Sequence, residues 1–118
     1  MSEENVLTYP TPPDVDGFFY ESEDDFSQDI FTKIYPNGNK IKKTLLPHCK
    51  KEAIIRELIA RETKEVARYM NKDPEKYQLA CITVSLSLNG EKQPIEDIEN
   101  LKMKDFTRIM GMYQDLNF

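Results

Sequence analysis

Apolar and polar positions alternate early in the folded part of this chain and fall at helical spacing later. Phe31-Thr32-Lys33-Ile34-Tyr35 is β-prone, Pro36-Asn37-Gly38-Asn39 is turn chemistry, and Lys40-Ile41-Lys42-Lys43-Thr44-Leu45-Leu46 is a second candidate strand. Asn-Gly between two such runs predicts a hairpin, because the turn needs positive φ. Pro47-His48-Cys49-Lys50 breaks the chain, and Ala53-Ile54-Ile55-Arg56-Glu57-Leu58 fits either a third strand or the start of a helix. From Ile59 the spacing turns helical. Ile59, Val66, Tyr69 and Met70 fall near one face, opposite Arg61, Glu62, Lys64, Glu65 and Arg68.

Asn71-Lys72-Asp73-Pro74 ends this helix and starts another, with Asp73 a good N-cap and Pro74 tolerated at the first helical position. Tyr77, Cys81, Val84 and Leu88 form a helical stripe, although Ile82, Val84, Leu86 and Leu88 also alternate as in a strand turning at Asn89-Gly90. The helical reading carries this element to about residue 87, with Gly90 just beyond its end. Gln93-Pro94 reads as loop and Glu96 to Leu101 as a single helical turn. The last helix is expected from about Met103 to Tyr113, with Met103, Phe106, Ile109, Met110 and Tyr113 on one face. The expected fold class is α+β: a small antiparallel β-sheet over about residues 31–58, followed by three α-helices. Its core should be dominated by Ile34, Leu45, Ile55, Leu58, Val66, Tyr77, Cys81, Val84, Ile98, Leu101, Phe106 and Ile109.

A length of 118 residues bounds this to one domain, placed at residues 30–118, with a modest core. The formal net charge of -5 hides a partition. Glu3, Glu4, Asp14, Asp16, Glu21, Glu23, Asp24, Asp25 and Asp29 lie in residues 1–29 with no Lys or Arg among them. Together with Pro10, Pro12 and Pro13, they predict a disordered acidic arm, at least to about residue 28. Such an arm keeps a protein soluble, folds back on a basic body, or mimics a polyanion. Gly17-Phe18-Phe19-Tyr20 stands out within it, as a short linear motif or as aromatics packed on the body.

The basic stretch from Lys33 to Lys76 is interleaved with Glu52, Glu57, Glu62 and Glu65, a mixed-sign surface rather than a nucleic-acid footprint. The N-terminus is acidic and has no apolar signal-peptide core, and no run approaches the ~20 apolar residues that span a bilayer. Neither nucleic acid nor membrane is expected as a partner.

Candidate chemistry is sparse. His48 is the single histidine, and Cys49 and Cys81 have no CxxC spacing, short of the four ligands a structural zinc site uses. His48-Cys49 is explained by a loop between strands, and Cys81 by a buried small hydrophobe. There is no glycine-rich phosphate loop and no constellation of nucleophile and base. No cofactor and no metal are expected, and the pattern favours a binding protein over an enzyme. Met103, Met110 and Met112 fit a helix core, or a surface that repacks around partners.

From about Ile41 to Phe118, the order of elements resembles the tail assembly chaperones of tailed bacteriophages, in particular those of contractile tails. The residues carrying it are the β-prone Ile41 to Leu46, Ile55-Arg56-Glu57-Leu58 with the helix around Arg61 to Tyr69, and Asp73-Pro74-Glu75-Lys76-Tyr77 with its apolar helix. Asn89-Gly90, Pro94-Ile95, Glu96-Asp97-Ile98-Glu99-Asn100-Leu101, Lys104-Asp105-Phe106 and Leu116-Asn117-Phe118 complete it. Residues 1–30 depart from the pattern. The resemblance implies a non-enzymatic protein of the host bacterial cytoplasm, absent from the mature virion. Its partners would be the tape measure protein, the tail tube protein and further copies of itself. On this reading the partner-binding residues are Met110, Met112, Tyr113, Leu116 and Phe118, since Met112 and Leu116 stand outside the Phe106-Ile109-Tyr113 stripe. Two other readings compete: a regulatory, host-directed protein acting through its acidic arm, and a minor tail or baseplate component.

Overall fold

Two Asn-Gly turns frame the sheet in the computed structural model, which describes residues 17–118. At the first, Gly38 takes φ 91° and its N–H donates to the Tyr35 carbonyl at 2.8 Å. This closes a hairpin between β1 (Phe31–Ile34) and β2 (Lys40–Leu45). At the second, Asn89 and Gly90 sit at φ 51° and 82°, the backbone signs of a two-residue type I′ turn. It joins β4 (Leu86–Leu88) to β5 (Glu91–Lys92). The ambiguous segment after Lys51 is a strand, β3 (Glu52–Arg56), between β2 and β4. The five strands are antiparallel in the order β1-β2-β3-β4-β5.

The helices are α1 (Glu23–Gln28), α2 (Thr63–Met70), α3 (Tyr77–Ser85), α4 (Ile95–Glu99) and α5 (Met103–Asn117). The protein is therefore α+β, with α2 and α3 inserted between the third and fourth strands. Helix α2 stops where Asn71 turns left-handed, and a 3₁₀ turn at Pro74–Lys76 leads into α3. Asp73 caps that turn through the Glu75 N–H at 3.0 Å. Residues 80–85 of α3 are all buried. Its two hydroxyls are tolerated there because Thr83 and Ser85 donate back to the carbonyls of Leu79 and Cys81, at 2.8 and 3.0 Å.

Helix α3 ends at Ser85, two residues before the expected boundary, and the chain becomes β4 without a loop. Pairing of Ile55 with Leu86 and of Ala53 with Leu88 wins over continued helix, because both leucines then reach the core. Helix α5 runs four residues past the expected Tyr113 and packs on β2 and β3.

The inward rows of the sheet are Thr32-Lys42-Ile55-Leu86 and Thr44-Ala53-Leu88. The phase of β2 is thus opposite to the expectation, with Lys42 and Thr44 facing the core and Leu45 outward, 56% exposed. Ile34, at the end of the edge strand, is 52% exposed, and Tyr77, in the first turn of α3, is 55% exposed. These three leave the expected core. Leu58, Leu101 and Phe106 pack against it half-buried, and Ile55, Val66, Cys81, Val84, Ile98 and Ile109 are in it. Leu46, Ala80, Ile82, Leu86, Leu88, Ile95, Met112, Tyr113 and Leu116 join them.

The inward Lys42 explains a second correction. Residues 17–29 are part of the fold rather than a disordered arm; the expectation for residues 1–16 lies outside the described residues. Phe19 exchanges backbone hydrogen bonds with Thr32 at 2.9 and 2.8 Å, which extends the sheet beyond β1. Ser22 caps α1, accepting from the Asp25 N–H at 3.1 Å. Asp25 is buried with its carboxylate 2.6 Å from the Lys42 ammonium, and Glu21 lies 2.9 Å from the same nitrogen and also pairs with Lys40. Asp115 of α5 approaches it to 3.6 Å. Acids that look purely solvating in composition neutralise a cation that the strand register turns inward. Ile30 then enters the core behind them.

Burial alone would lower the Lys42 pKa, but Asp25 and Glu21 outweigh it and hold it above its ordinary value. Burial likewise pushes Glu21 up, and Lys40 and Lys42 more than reverse this. A raised lysine stabilises the fold below its unfolded pKa and loses that contribution as pH rises through the folded one. A lowered glutamate stabilises above its unfolded pKa and loses it as pH falls. We therefore expect Lys42→Met to cost about 3–5 kcal/mol near neutral pH, as for one partner removed from a buried pair. In urea titrations the deficit should shrink as pH falls through the Glu21 titration, and Lys42→Met/Asp25→Leu should recover most of it. A second expectation concerns Thr32, whose buried hydroxyl has no hydrogen-bond partner among the described residues. Thr32→Val should stabilise by about 1 kcal/mol in the same assay.

Candidate functional site

A groove opens where the start of α2, the start of α3 and the end of α5 meet. Its floor is Val66, Cys81 and Tyr113, each buried, and its rim carries Ile59, Tyr77 and Phe118. The rim residues are 48%, 55% and 92% exposed, three of the eight exposed large apolar side chains of the described residues. The groove encloses about 230 Å³. That volume suits a few side chains projecting from a partner element rather than a whole element.

Each wall is fixed by polar contacts of the residues that line it. The Arg56 guanidinium forms a bidentate pair with Glu62 at 2.9 and 2.5 Å, and Glu62 also accepts the Ile59 N–H at 2.9 Å. This pins the 3₁₀ turn at Ala60–Glu62 and holds Ile59 at the rim. The Arg56 hydrogen bond holds the Glu62 carboxyl below its ordinary pKa against the effect of burial. On the other wall, the Asn117 side chain accepts the Leu58 N–H at 3.0 Å and donates to the Tyr113 carbonyl at 3.0 Å. Phe118 stays in register, its N–H on the Gln114 carbonyl, with its ring edge-on to Tyr113 at 6.1 Å.

Among the described residues, Glu62 is the only charged side chain that lines the groove, and it is neutralised by Arg56. Burial pushes the Tyr113 phenol well above its ordinary pKa, with the Cys81 thiol adding to the shift. Cys81 also raises Tyr77. Both phenols are neutral at physiological pH, so the groove surface is largely apolar, with its one carboxylate paired to Arg56.

The rotation of α5 places these residues. Asp105, fully buried, accepts the backbone N–H groups of His48 and Cys49 at 2.7 and 3.0 Å. Burial would raise its pKa, but these two amides hold it below the ordinary carboxylate range. The inward stripe of α5 is therefore Asp105-Ile109-Met112-Leu116, with Tyr113 beside it. The expected stripe through Met103, Phe106 and Met110 is turned aside: Met103 is 72% exposed, and Phe106 and Met110 are half-buried.

This redistributes the candidate partner-binding residues. Met112 and Leu116 are core residues and not spare apolar surface, because Asp105 turns their stripe inward. Tyr113 contributes to the groove floor, Phe118 to its rim, and Met110 packs against the core from the side. Ile59 and Tyr77 escaped the sequence reading, which placed one on a helix face and the other in the core. The signal for Tyr77 was its position in the first turn after Asp73-Pro74, where the apolar stripe of α3 is only beginning.

His48 is exposed and Cys49 half-buried, in the loop after β2. Among the described residues, no group of three or more His, Cys, Asp or Glu side chains is arranged to hold a metal ion. No helix there is long and apolar enough to cross a membrane. Comparison with protein-family models, curated proteins and solved structures finds no match to this chain.

The division between core and rim is measurable by denaturation. Met112→Asp should cost more than about 4 kcal/mol or prevent folding, as for an unpaired buried charge. Phe118→Asp and Ile59→Asp should each stay within about 1 kcal/mol of wild type.

Proposed function

We propose that this protein is a non-enzymatic assembly chaperone of the phage tail type, binding the tape measure protein and assisting tail tube assembly. The observation that carries the reading is the neutral apolar groove, with Ile59, Tyr77 and Phe118 raised around a buried floor. A client that is long, helical and apolar presents side chains at i, i+3/i+4 and i+7, the pattern that helix-in-groove recognition reads. One anchor would enter against Tyr113 and Cys81, with its neighbours held between the rim side chains. The acidic-arm reading is weakened by the use of Glu21 and Asp25 in pairing Lys40 and Lys42.

The test is co-expression with the tape measure protein of the same phage, comparing wild type with Ile59→Asp/Phe118→Asp. Met103→Asp/Leu45→Asp removes exposed apolar side chains away from the groove and serves as the control. Wild type and control should keep the client soluble and co-purify with it, and the groove variant should not. Calorimetry of the complex should give a negative heat-capacity change and weak salt dependence. Equal performance by a folded groove variant, or failure of wild type to capture the client, defeats the assignment.

A further inference from the structure

The face of the sheet turned away from α5 carries a second, chemically different surface. Lys33, Ile41 and Arg56 form one outward row, and Phe31, Lys43, Ile54, Ser87 and Lys92 form the next. Ile41 and Ile54 are only half-buried there. A hollow of about 360 Å³ opens beside them, bordered by Tyr35, Arg56 and Lys92. Lys43 is matched by Glu52 at 3.3 Å and Arg56 by Glu62, whereas among the described residues Lys33 and Lys92 have no carboxylate within ion-pair distance. Partial burial and the Arg56 cation together lower the Lys92 pKa. The Lys92 ammonium donates to the Val84 carbonyl and feels Glu62 and Glu65 only at longer range, so among the described residues both Lys33 and Lys92 stand beside apolar side chains without a carboxylate in direct contact.

The chain itself enters the fold over this face. The Phe18 ring lies beneath the ammonium groups of Lys33 and Lys43, 5.6 and 4.9 Å from its centroid. Gly17 lies so close that a Cβ there would stand 3.3 Å from Lys33 Cε. We propose that the outer face of the sheet is the docking surface for residues 1–16 of the same chain. Those residues contain Glu3, Glu4, Asp14 and Asp16, no Lys or Arg, and Val6, Leu7 and Tyr9 as apolar groups. Their chemistry supplies what the face lacks: carboxylates for Lys33 and Lys92, and apolar cover for Ile41 and Ile54. Reach is sufficient. With strands ~4.8 Å apart, β5 lies roughly 24 Å from the Phe19 segment, and 16 residues span up to ~50 Å. Attachment at Gly17 gives an effective concentration on the order of 1 mM, so individually weak contacts suffice. The inference is independent of the groove and its client.

Zero-length carbodiimide coupling of the full chain, read by mass spectrometry on an equal mixture of ¹⁴N and ¹⁵N protein, tests it. Glu3 or Glu4 should couple to Lys43 or Lys92 within one chain, and the links should fall several-fold in about 1 M salt. Links from Asp14 and Asp16 to Lys33 are not scored, because the neighbouring Gly17 already lies against Lys33. Val6→Asp/Leu7→Asp/Tyr9→Ala should also shift the Ile41 and Ile54 amide resonances, leaving those of α2 unchanged. Links spread evenly over Lys64, Lys72, Lys102 and Lys104, or silent Ile41 and Ile54 amides, overturn the proposal. Links between isotopically different chains overturn it in favour of docking by a second copy.

Discussion

The fold depends on neutralising one buried ammonium. The register of β2 turns Lys42 towards the core, and an uncompensated charge there would cost far more than the few kcal/mol separating folded from unfolded domains. Asp25 and Glu21 of the α1 segment and Asp115 of α5 converge on it from two ends of the chain. The acidic α1 segment is consequently structural. Its helix is short and would be marginal alone. Its place is fixed by the carboxylate on Lys42, by the aromatic contacts of Tyr20 with Phe26 and Phe31, and by Thr44 donating to the Asp29 carbonyl at 3.0 Å.

Asp105 plays the complementary role at the other side of the core. A carboxylate that accepts two backbone N–H groups satisfies them where no strand partner exists. It also sets which face of α5 looks inward. The floor of the groove and the exposure of Phe118 follow from that rotation, although Asp105 lies far from Phe118 along the helix. Both anchors are charged residues at positions where an apolar side chain would be the default.

Much of the architecture was legible in the sequence, because the turn chemistry at Asn37-Gly38, Asp73-Pro74 and Asn89-Gly90 marks real boundaries. The α+β class, the first hairpin and the helical second half follow from those marks and from periodicity. What escaped the reading shares a physical cause. The inward faces of β2 and α5 include Lys42, Thr44 and Asp105, so a search for the most apolar stripe selects a neighbouring phase. That moved Leu45 into the expected core and Met112 out of it. The end of α3 was missed for another reason. Leu86 and Leu88 suit either period, and only pairing with a strand thirty residues earlier decides between them. The groove was half legible: the apolar end of α5 pointed to it, while Ile59 and Tyr77 are brought there by tertiary packing alone.

The edges of the sheet bear on what kind of partner this protein admits. An open strand edge is a template for other extended chains and a route to aggregation. Here β5 is only two residues long and bears Glu91 and Lys92, and the backbone of β1 is met by Phe19 at Thr32. Neither edge offers a long unpaired ladder to an incoming strand. The sheet edges thus give little opening for backbone pairing, while the recess between α2, α3 and α5 is open to apolar side chains.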